Sequence, residues 1–230
     1  MSASEPAPVE DVQGDGRWSS MHQRQVESCR LQKPNVLFVG DSLIQRLEDT
    51  ETWEDTIKPL NAVNAGIGGD RTEHVLWRLQ NGLLQHCKPK VVVILCGTNN
   101  HQHSSDEIVD ALEAICWSVA DVLKDTKIVL IALLPRGEKD NPLRNKIYQI
   151  NYGIEQIIST IPNTHLINAD PGFVRSDGVI FPEDMADYLH LTRRGYKKFC
   201  VPIMSCVKKF LQEDAKKEKA FNNSIYTFHE

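Results

Sequence analysis

The sequence lacks any segment that would direct the chain into or across a membrane. Residues 1–16 are polar and acidic, contain two prolines, and have no positively charged start leading into an apolar run. No apolar stretch approaches the roughly 20 residues needed to span a bilayer. The sequence therefore predicts a soluble, cytoplasmic protein without integral membrane contact.

Patterns typical of disulfide frameworks and metal sites are also missing. The six cysteines form no CxxC pair, and several lie in apolar stretches, where a free thiol behaves as a small hydrophobic group. His101 and His103 alternate in a polar stretch, but no HExxH motif and no third ligand near them in sequence supports a metal. We expect reduced thiols and no metal site.

Positive charge is not concentrated anywhere in the main body of the chain. The net charge is −5, and no basic stripe of the kind found in nucleic-acid-binding domains occurs before the last 25 residues. The basic cluster Lys208–Lys219 is interspersed with acidic residues, so it is interpreted as the solvated face of a terminal helix. We expect no nucleic-acid partner.

What the sequence does contain is a series of short apolar runs rich in β-branched residues. Runs of this kind without polar alternation are typical of strands buried on both faces, as in a parallel sheet. Five are present: Val36–Val39, Ala62–Ala65, Val91–Leu95, Ile128–Leu134 and His165–Ala169.

Segments with helical spacing separate these runs. Ser104 and Glu107 form a capping-box pattern before one apolar stripe, and Pro142 is well placed to open another helix. A last helix is expected from about Arg194 to Ala215. Alternating strands and helices predict βαβ units in an α/β fold, a three-layer α/β/α sandwich around a five-stranded parallel sheet.

The organisation predicted is a single domain. A chain of 230 residues that is 41% apolar fits one compact core. Residues 1–30 are interpreted as an irregular N-terminal arm, residues 31–215 as the domain, and residues 216–230 as a flexible C-terminal tail.

Polar residues and glycines follow three of the predicted strands. In an open α/β sheet, ligands bind at the carboxyl ends of the strands, where these loops meet. Ser42 follows the first strand, Gly69 the second and Asn99 the third. A serine hydroxyl can act as nucleophile, and the backbone N–H groups of Ser42 and Gly69 with the carboxamide of Asn99 can form a three-donor oxyanion hole.

A base for this serine is found near the C-terminus. Asp187 and His190 are three residues apart, which places both side chains on one side of a turn, so Asp187 can orient the imidazole. Asp184 is the alternative orienting acid. The sequence predicts Ser42, Asp187 and His190 as the catalytic residues.

Each motif taken alone has a structural explanation. Most Gly-Asp-Ser sequences are turns, and an Asp/His pair can cap a helix. The glycines of residues 66–69 lack both the GxGxxG pattern and a following GK[ST], and no GxSxG nucleophile elbow is present. The functional interpretation therefore depends on all the pieces occurring together, on the strand ends that one mechanism needs.

Taken together, these residues resemble the four sequence blocks of the GDSL/SGNH hydrolase superfamily. Longer motifs are similar to those of the catalytic α subunits of intracellular type I platelet-activating-factor acetylhydrolase. The similar segments are residues 13–18, 66–70, 74–78, 97–100, 133–137 and 184–191.

This resemblance implies a flavodoxin-like fold, no cofactor, and hydrolysis of the sn-2 acetyl ester of platelet-activating factor. It also implies homo- or heterodimers of α subunits and a WD-repeat regulatory β subunit. The matching acyl-pocket positions are Leu43, Thr98 and Leu189. The alternatives are a broader short-chain carboxylesterase, a sugar O-acetylesterase, or a chain that serves mainly as a scaffold for a WD-repeat partner.

Overall fold

The computed structural model describes residues 2–226, with side chains described through residue 220. The strands are β1 Val36–Gly40, β2 Ala62–Gly66, β3 Val91–Leu95, β4 Lys127–Ile131 and β5 Thr164–Ile167. The helices are α1 Arg17–Gln32, α2 Ser42–Gln45, α3 Thr72–Arg78, α4 Ser105–Val122, α5 Pro142–Ile157 and α6 Arg193–Tyr226. Short 3-10 or π turns occur at Arg46–Asp49, Trp53–Ile57, Lys58–Leu60, Leu79–Leu83 and Ile158–Thr160.

The five strands form one parallel sheet in the order β2-β1-β3-β4-β5. This is the flavodoxin-like order, in which the direction of strand addition reverses between β1 and β3. Strands β1, β2 and β3 are buried along their whole length, as continuous apolar runs require. The predicted fold class is confirmed.

The strand order also decides where the helices lie. A right-handed crossover from β1 to β2 runs one way along the sheet, and the later crossovers run the other way, so they cover opposite faces. Helices α3, α4 and α5 pack side by side, while α6 contacts β3 and β4. The result is the predicted three-layer sandwich.

Helix starts agree with the sequence signals. The Ser104 hydroxyl accepts from the Glu107 backbone N–H, and the Glu107 carboxylate accepts from the Ser104 N–H, so the capping box is formed. Asn141 caps α5, whose first residue is Pro142. Both starts are local motifs, which explains why they were predictable.

The expectation of an irregular arm over residues 1–30 is wrong for its second half, because α1 begins at Arg17. Its buried residues are His22 and Cys29, so it carries no conventional apolar stripe. Trp18 packs against Trp77, with ring centroids 5.5 Å apart. Helix α1 is thus stabilised by tertiary contacts that the local pattern does not reveal.

The C-terminal helix is longer than predicted. Helix α6 continues to Tyr226 instead of ending near Ala215. Lys90, next to β3, pairs with Asp214 at 2.5 Å and Glu218 at 2.8 Å, which ties this extension to the domain. Residues 227–230 of the predicted tail lie outside the described residues. No helix in the described part of the chain is long and apolar enough to span a membrane.

Two strands also end earlier than predicted. Strand β4 stops at Ile131, where the sequence predicts continuation to Leu134. Strand β5 stops at Ile167, where the sequence predicts continuation to Ala169. The backbone N–H and C=O of Leu133 bond the side chain of Asn151 on α5 at 2.8 and 2.9 Å. A side chain thus replaces the neighbouring strand as hydrogen-bonding partner, which ends the ladder.

Candidate active site

The loops that follow β1, β2 and β3 meet at one edge of the sheet. The register aligns Gly40 with Gly66 on one side and with Leu95 on the other, so all three strands end together. A Cβ on Gly66 would lie 2.3 Å from the backbone nitrogen of Gln45, so only glycine allows α2 to approach this closely. This alignment places the loop residues around Ser42.

Ser42 is the first residue of the short helix α2. Asp41 caps this helix, because its side chain accepts a 2.9 Å hydrogen bond from the Leu43 N–H. The Asp41 N–H donates to Leu95 O on the adjacent strand at 3.3 Å. Since the first N–H groups of a helix have no intrahelical acceptor, the Ser42 N–H can serve a ligand.

A continuous hydrogen-bonded chain links Ser42, His190 and Asp187. Ser42 Oγ lies 2.8 Å from His190 Nε2. His190 Nδ1 lies 2.7 Å from Asp187 Oδ2, and the His190 backbone N–H donates to Asp187 Oδ1 at 2.7 Å. The structure therefore brings together the three residues that the sequence predicts as nucleophile, base and orienting acid.

Asp187 remains charged in this arrangement, and its side chain is 55% exposed. Partial burial raises its pKa, but hydrogen bonds from the His190 ring, the His190 N–H and the Leu189 N–H outweigh burial and bring the pKa to about 2. An ionised carboxylate favours the Nδ1–H tautomer of His190, which leaves Nε2 free to accept a proton from Ser42.

The alternative acid, Asp184, is occupied elsewhere. Its carboxylate pairs with Lys198 at 2.8 Å and with Arg194 at 3.1 Å, both on α6. It therefore anchors the loop to α6, while Asp187 contacts the histidine. The loop itself is closed by a bridge between Met185 and Leu191, and Tyr188 at its tip has a left-handed backbone with φ 60°.

Two further polar donors lie on the neighbouring strand ends. Gly69 has φ 81°, a backbone conformation that residues with a side chain rarely adopt. A Cβ at this position would meet nothing within 4 Å. The Asn99 carboxamide donates one hydrogen to the backbone carbonyl of Asp70 at 2.9 Å. A carboxamide has two N–H hydrogens, so the second can point to a ligand while the first fixes the side chain.

A fully buried ion pair supports these loops. Arg78 contacts Asp70 Oδ2 at 2.7 Å and donates to Ala65 O at 2.7 Å and Gly40 O at 3.1 Å, which are carbonyls at the ends of β2 and β1. Trp18 Nε1 donates to the other Asp70 oxygen at 2.8 Å. Asp70 thus connects α1 and α3 to the carbonyl that fixes Asn99. The sequence alone predicts no role for Arg78 or Asp70.

Asp41 is unusual because it is completely buried. Its Oδ2 has no hydrogen-bond partner among the residues that the structure describes. Burial raises its pKa to about 7, against the opposing hydrogen bond from the Leu43 N–H, and the nearby Asp70 charge adds to the increase. Asp41 positions Ser42 by capping α2. Ionisation of its carboxyl group is unfavourable because the group is removed from water.

Two of the residues predicted to surround the acyl group line different spaces in the described part of the chain. Thr98 lines a small cavity of about 20 Å³, and Leu189 lines an adjacent open groove; Arg136 lines both. Leu43 is 1% exposed and its backbone carbonyl accepts from the Tyr196 hydroxyl at 2.7 Å. Arg136 donates to the Thr98 carbonyl at 3.0 Å. The acyl-pocket assignment therefore stays a prediction.

The fold and the site define a serine ester hydrolase: a serine at the end of a parallel strand, a histidine–carboxylate pair, and N–H donors beside them. Residues 38–198 match the model of the GDSL-like lipase/acylhydrolase family. The chain is also 47% identical over 212 residues to platelet-activating factor acetylhydrolase IB subunit alpha1 of Homo sapiens, covering 92% of each chain. The alpha2 subunit of Homo sapiens is 46% identical over 211 residues, again covering 92% of each chain. The chain belongs to the GDSL-like lipase/acylhydrolase family.

Solved structures show the same fold. A GDSL-like lipase from Bacteroides thetaiotaomicron superposes with a TM-score of 0.66 at 22% identity, covering 84% of this chain and 96% of the lipase. An acetylxylan esterase from Geobacillus stearothermophilus gives a TM-score of 0.60 at 18% identity, covering 75% of this chain and 93% of the esterase. At these identities the similarity concerns the fold alone.

Proposed function

We propose that this chain hydrolyses the sn-2 acetyl ester of platelet-activating factor, or of similar short-acyl phospholipids, through an acyl-Ser42 intermediate. The single observation that carries the mechanism is the hydrogen-bonded chain in which Ser42 Oγ lies 2.8 Å from His190 Nε2. The substrate class is supported by the curated relatives, which are named platelet-activating factor acetylhydrolase subunits.

In the first half-reaction, His190 Nε2 takes the Ser42 proton while Oγ attacks the ester carbonyl carbon. The carbonyl oxygen becomes an oxyanion, which the Ser42 N–H, the Gly69 N–H and the Asn99 carboxamide stabilise. The intermediate collapses as the bond to the alcohol oxygen breaks. His190 gives its proton to that oxygen, and acetate remains esterified to Ser42.

In the second half-reaction, His190 accepts a proton from a water molecule, whose oxygen attacks the acyl-enzyme carbonyl. The same donors stabilise the second oxyanion. When the bond to Ser42 Oγ breaks, His190 returns the proton to the serine, and acetate leaves. Asp187 stabilises the imidazolium in both steps and remains ionised throughout.

A preference for short acyl groups is supported by the small space beside Thr98. The cavity there has a volume of about 20 Å³, room for about one water molecule. Steady-state kinetics on p-nitrophenyl esters from acetyl to octanoyl test this preference. We expect kcat/KM to fall by more than about 100-fold along the series, because the cavity beside Thr98 cannot hold a long chain. Equal rates for acetyl and octanoyl esters would favour the broader carboxylesterase.

The phospholipid itself is the second test. Purified protein should release acetate from a 1-alkyl-2-acetyl phosphocholine lipid, and Ser42→Ala should remove this activity without unfolding the protein. Turnover of p-nitrophenyl acetate but not of the lipid would leave the mechanism in place and refute the substrate. Full lipid turnover by Ser42→Ala would refute the mechanism.

We also propose that the chain works in the cytoplasm as one subunit of an assembly. The curated relatives are named as subunits, and the six cysteines are unpaired thiols in the described structure. A dimer of α-type chains and a WD-repeat partner stay predictions. Sedimentation of the purified chain tests the dimer, and a pull-down with a WD-repeat β subunit tests the partner; neither assembly should need the Ser42 hydroxyl.

A further inference from the structure

A groove opens beside the candidate catalytic residues, between the N-terminal segment and the loop after β2. Its volume is about 570 Å³, within the usual range for small-molecule sites. One wall consists of residues from Val9 to Met21, and the other consists of Gln45, Ile67, Gly68, Gly69 and His74. No step of the mechanism above uses this groove.

The groove lies next to the candidate nucleophile. A Cβ placed on Gly68 would lie 3.8 Å from Ser42 Cβ, so Gly68 lies next to Ser42. Gly69 has open space where a side chain would be, and it also lines the groove. Gly68 and Gly69, together with Gln45, therefore form the part of the groove wall nearest to the candidate nucleophile.

The position of the groove along the sheet edge distinguishes the two parts of an ester. Strand β1, which presents Ser42, lies between β2 and β3. Thr98 and its small cavity follow β3, whereas the groove follows β2. The acyl chain and the alcohol oxygen leave the tetrahedral carbon in different directions. With the acyl group on the β3 side, the alcohol part extends toward β2.

The surface of the groove is suited to an alkyl chain. Val12, at 83% exposure, is a large exposed apolar side chain, and Val9, Trp18 and Met21 line the same wall. Covering exposed apolar side chains with an apolar ligand removes them from water, which stabilises the complex.

Two carboxylates of this segment, those of Asp11 and Asp15, are used within the segment itself. Asp11 accepts from the backbone N–H groups of Asp15 and Gly16 at 3.2 and 3.0 Å. Asp15 pairs with Arg17 at 2.6 Å. These contacts shape the loop that holds the apolar wall, so they account for the acidic residues without a ligand.

We propose that this groove binds the alcohol part of the ester and that the preferred alcohol carries an alkyl chain. The inference rests on the proposed function, because it needs Ser42 as the nucleophile. It deepens that function by naming Val9, Val12, Trp18 and Met21 as the residues that select the leaving group.

Acetate esters of methanol, butanol, hexanol and octanol, used below their aggregation limits, vary the alcohol at constant acyl group. For the wild type we expect kcat/KM to increase with alcohol length. Val12→Ser should lower kcat/KM for octyl acetate by about fivefold, as expected for losing part of one apolar side-chain contact. It should leave kcat/KM for methyl acetate unchanged. Val12→Leu, which keeps an apolar side chain, should show the wild-type profile.

The matched control is Val122→Ser, because Val122 is also an exposed valine, at 60%, and lies at the end of α4 away from the groove. Identical profiles for Val12→Ser and Val122→Ser would overturn the proposal. A direct binding readout does not depend on turnover: adding 1-octanol to the wild-type protein should shift the backbone NMR signals of Val12, Trp18 and Met21. Absence of these shifts at saturating octanol also counts against the groove.

These readouts separate this proposal from the proposed function. If octyl acetate shows the expected profile but the acetyl ether phospholipid is not hydrolysed, the groove is supported and the lipid substrate is refuted. If the lipid is hydrolysed but Val12→Ser behaves like its control, the substrate is supported and the groove is refuted.

Discussion

The two halves of the candidate site are held in place by different means. The half at the ends of β1, β2 and β3 is supported from below by the buried pair of Arg78 and Asp70, both 0% exposed. The other half, the loop that carries Asp187 and His190, lies at the surface and is held by its own backbone hydrogen bonds and by Asp184. In the proposed mechanism, the oxyanion donors thus lie above the buried ion pair, and the proton-transfer residues lie on a surface loop.

This difference predicts how mutations will act. A buried charge that loses its partner destabilises the whole fold, whereas an exposed pair contributes little to stability. Substitutions in the loop should therefore impair catalysis and leave the protein folded. Substitutions beneath the strand ends should affect both.

The largest effect is expected from His190→Ala. Without the base, Ser42 keeps its proton, and kcat for a short acyl ester should fall by about 10⁴- to 10⁶-fold. The midpoint of urea unfolding should change little, because this loop does not hold the core. Near-normal turnover would show that another group activates Ser42, and a large loss of stability would contradict the division between the two halves.

Arg78→Met tests the buried half. The substitution keeps much of the side-chain volume but leaves the Asp70 carboxylate without its ion-pair partner, which should lower the free energy of unfolding by about 3–5 kcal/mol. Arg194→Met removes an exposed partner of Asp184 and should cost no more than about 1 kcal/mol. Urea titration of both variants measures the difference, and equal losses would remove the contrast.

Asn99→Ala tests one donor of the oxyanion hole. Loss of such a donor typically lowers kcat by about 100- to 1,000-fold, because the interaction is strongest in the transition state. KM should change far less than kcat. A change confined to KM would indicate that Asn99 binds substrate without stabilising the oxyanion.

The smallest effect concerns pH. The folded protein keeps a proton on Asp41 up to about pH 7, whereas the unfolded chain releases it near pH 4, so stability falls as pH rises between these values. Asp41→Asn removes this dependence. Relative to the variant, the wild type should lose about 2 kcal/mol between pH 5 and pH 6.5.

Asp187→Asn provides the control for that measurement. Because the pKa of Asp187 is lowered to about 2, its stabilising contribution is present above about pH 4 and is lost only as pH falls toward 2. Its difference from the wild type should therefore stay constant between pH 5 and pH 6.5. A constant difference for Asp41→Asn as well would show that Asp41 is ionised throughout this range.

Local signals explain how much of this molecule the sequence predicts. Ser42, Gly69 and Asn99 are predicted to lie close together because each follows, after a short loop, a run typical of a buried strand, and parallel strands end at one edge. Asp187 and His190 are found because three residues in a turn suffice to bring them together. These inferences need no knowledge of distant contacts.

What sequence reasoning misses depends on distant contacts. Trp18 meets Asp70 across 52 positions, and Arg78 becomes fully buried only when α3 packs beneath the strand ends. Helix α1 is not predicted by the sequence pattern for the same reason, since its buried residues, a histidine and a cysteine, form no apolar stripe. The motif of residues 13–18 was a usable signal, because a tryptophan in an otherwise polar segment indicates a tertiary contact.

The central claim is that Ser42 is the nucleophile activated by His190, and covalent labelling tests it most directly. The protein is treated with a fluorophosphonate, and the modified peptide is identified by mass spectrometry. The account predicts a single adduct on Ser42 in the wild type, none in Ser42→Ala, and strongly slowed labelling in His190→Ala. An adduct on a different residue, or undiminished labelling of Ser42→Ala, would contradict it.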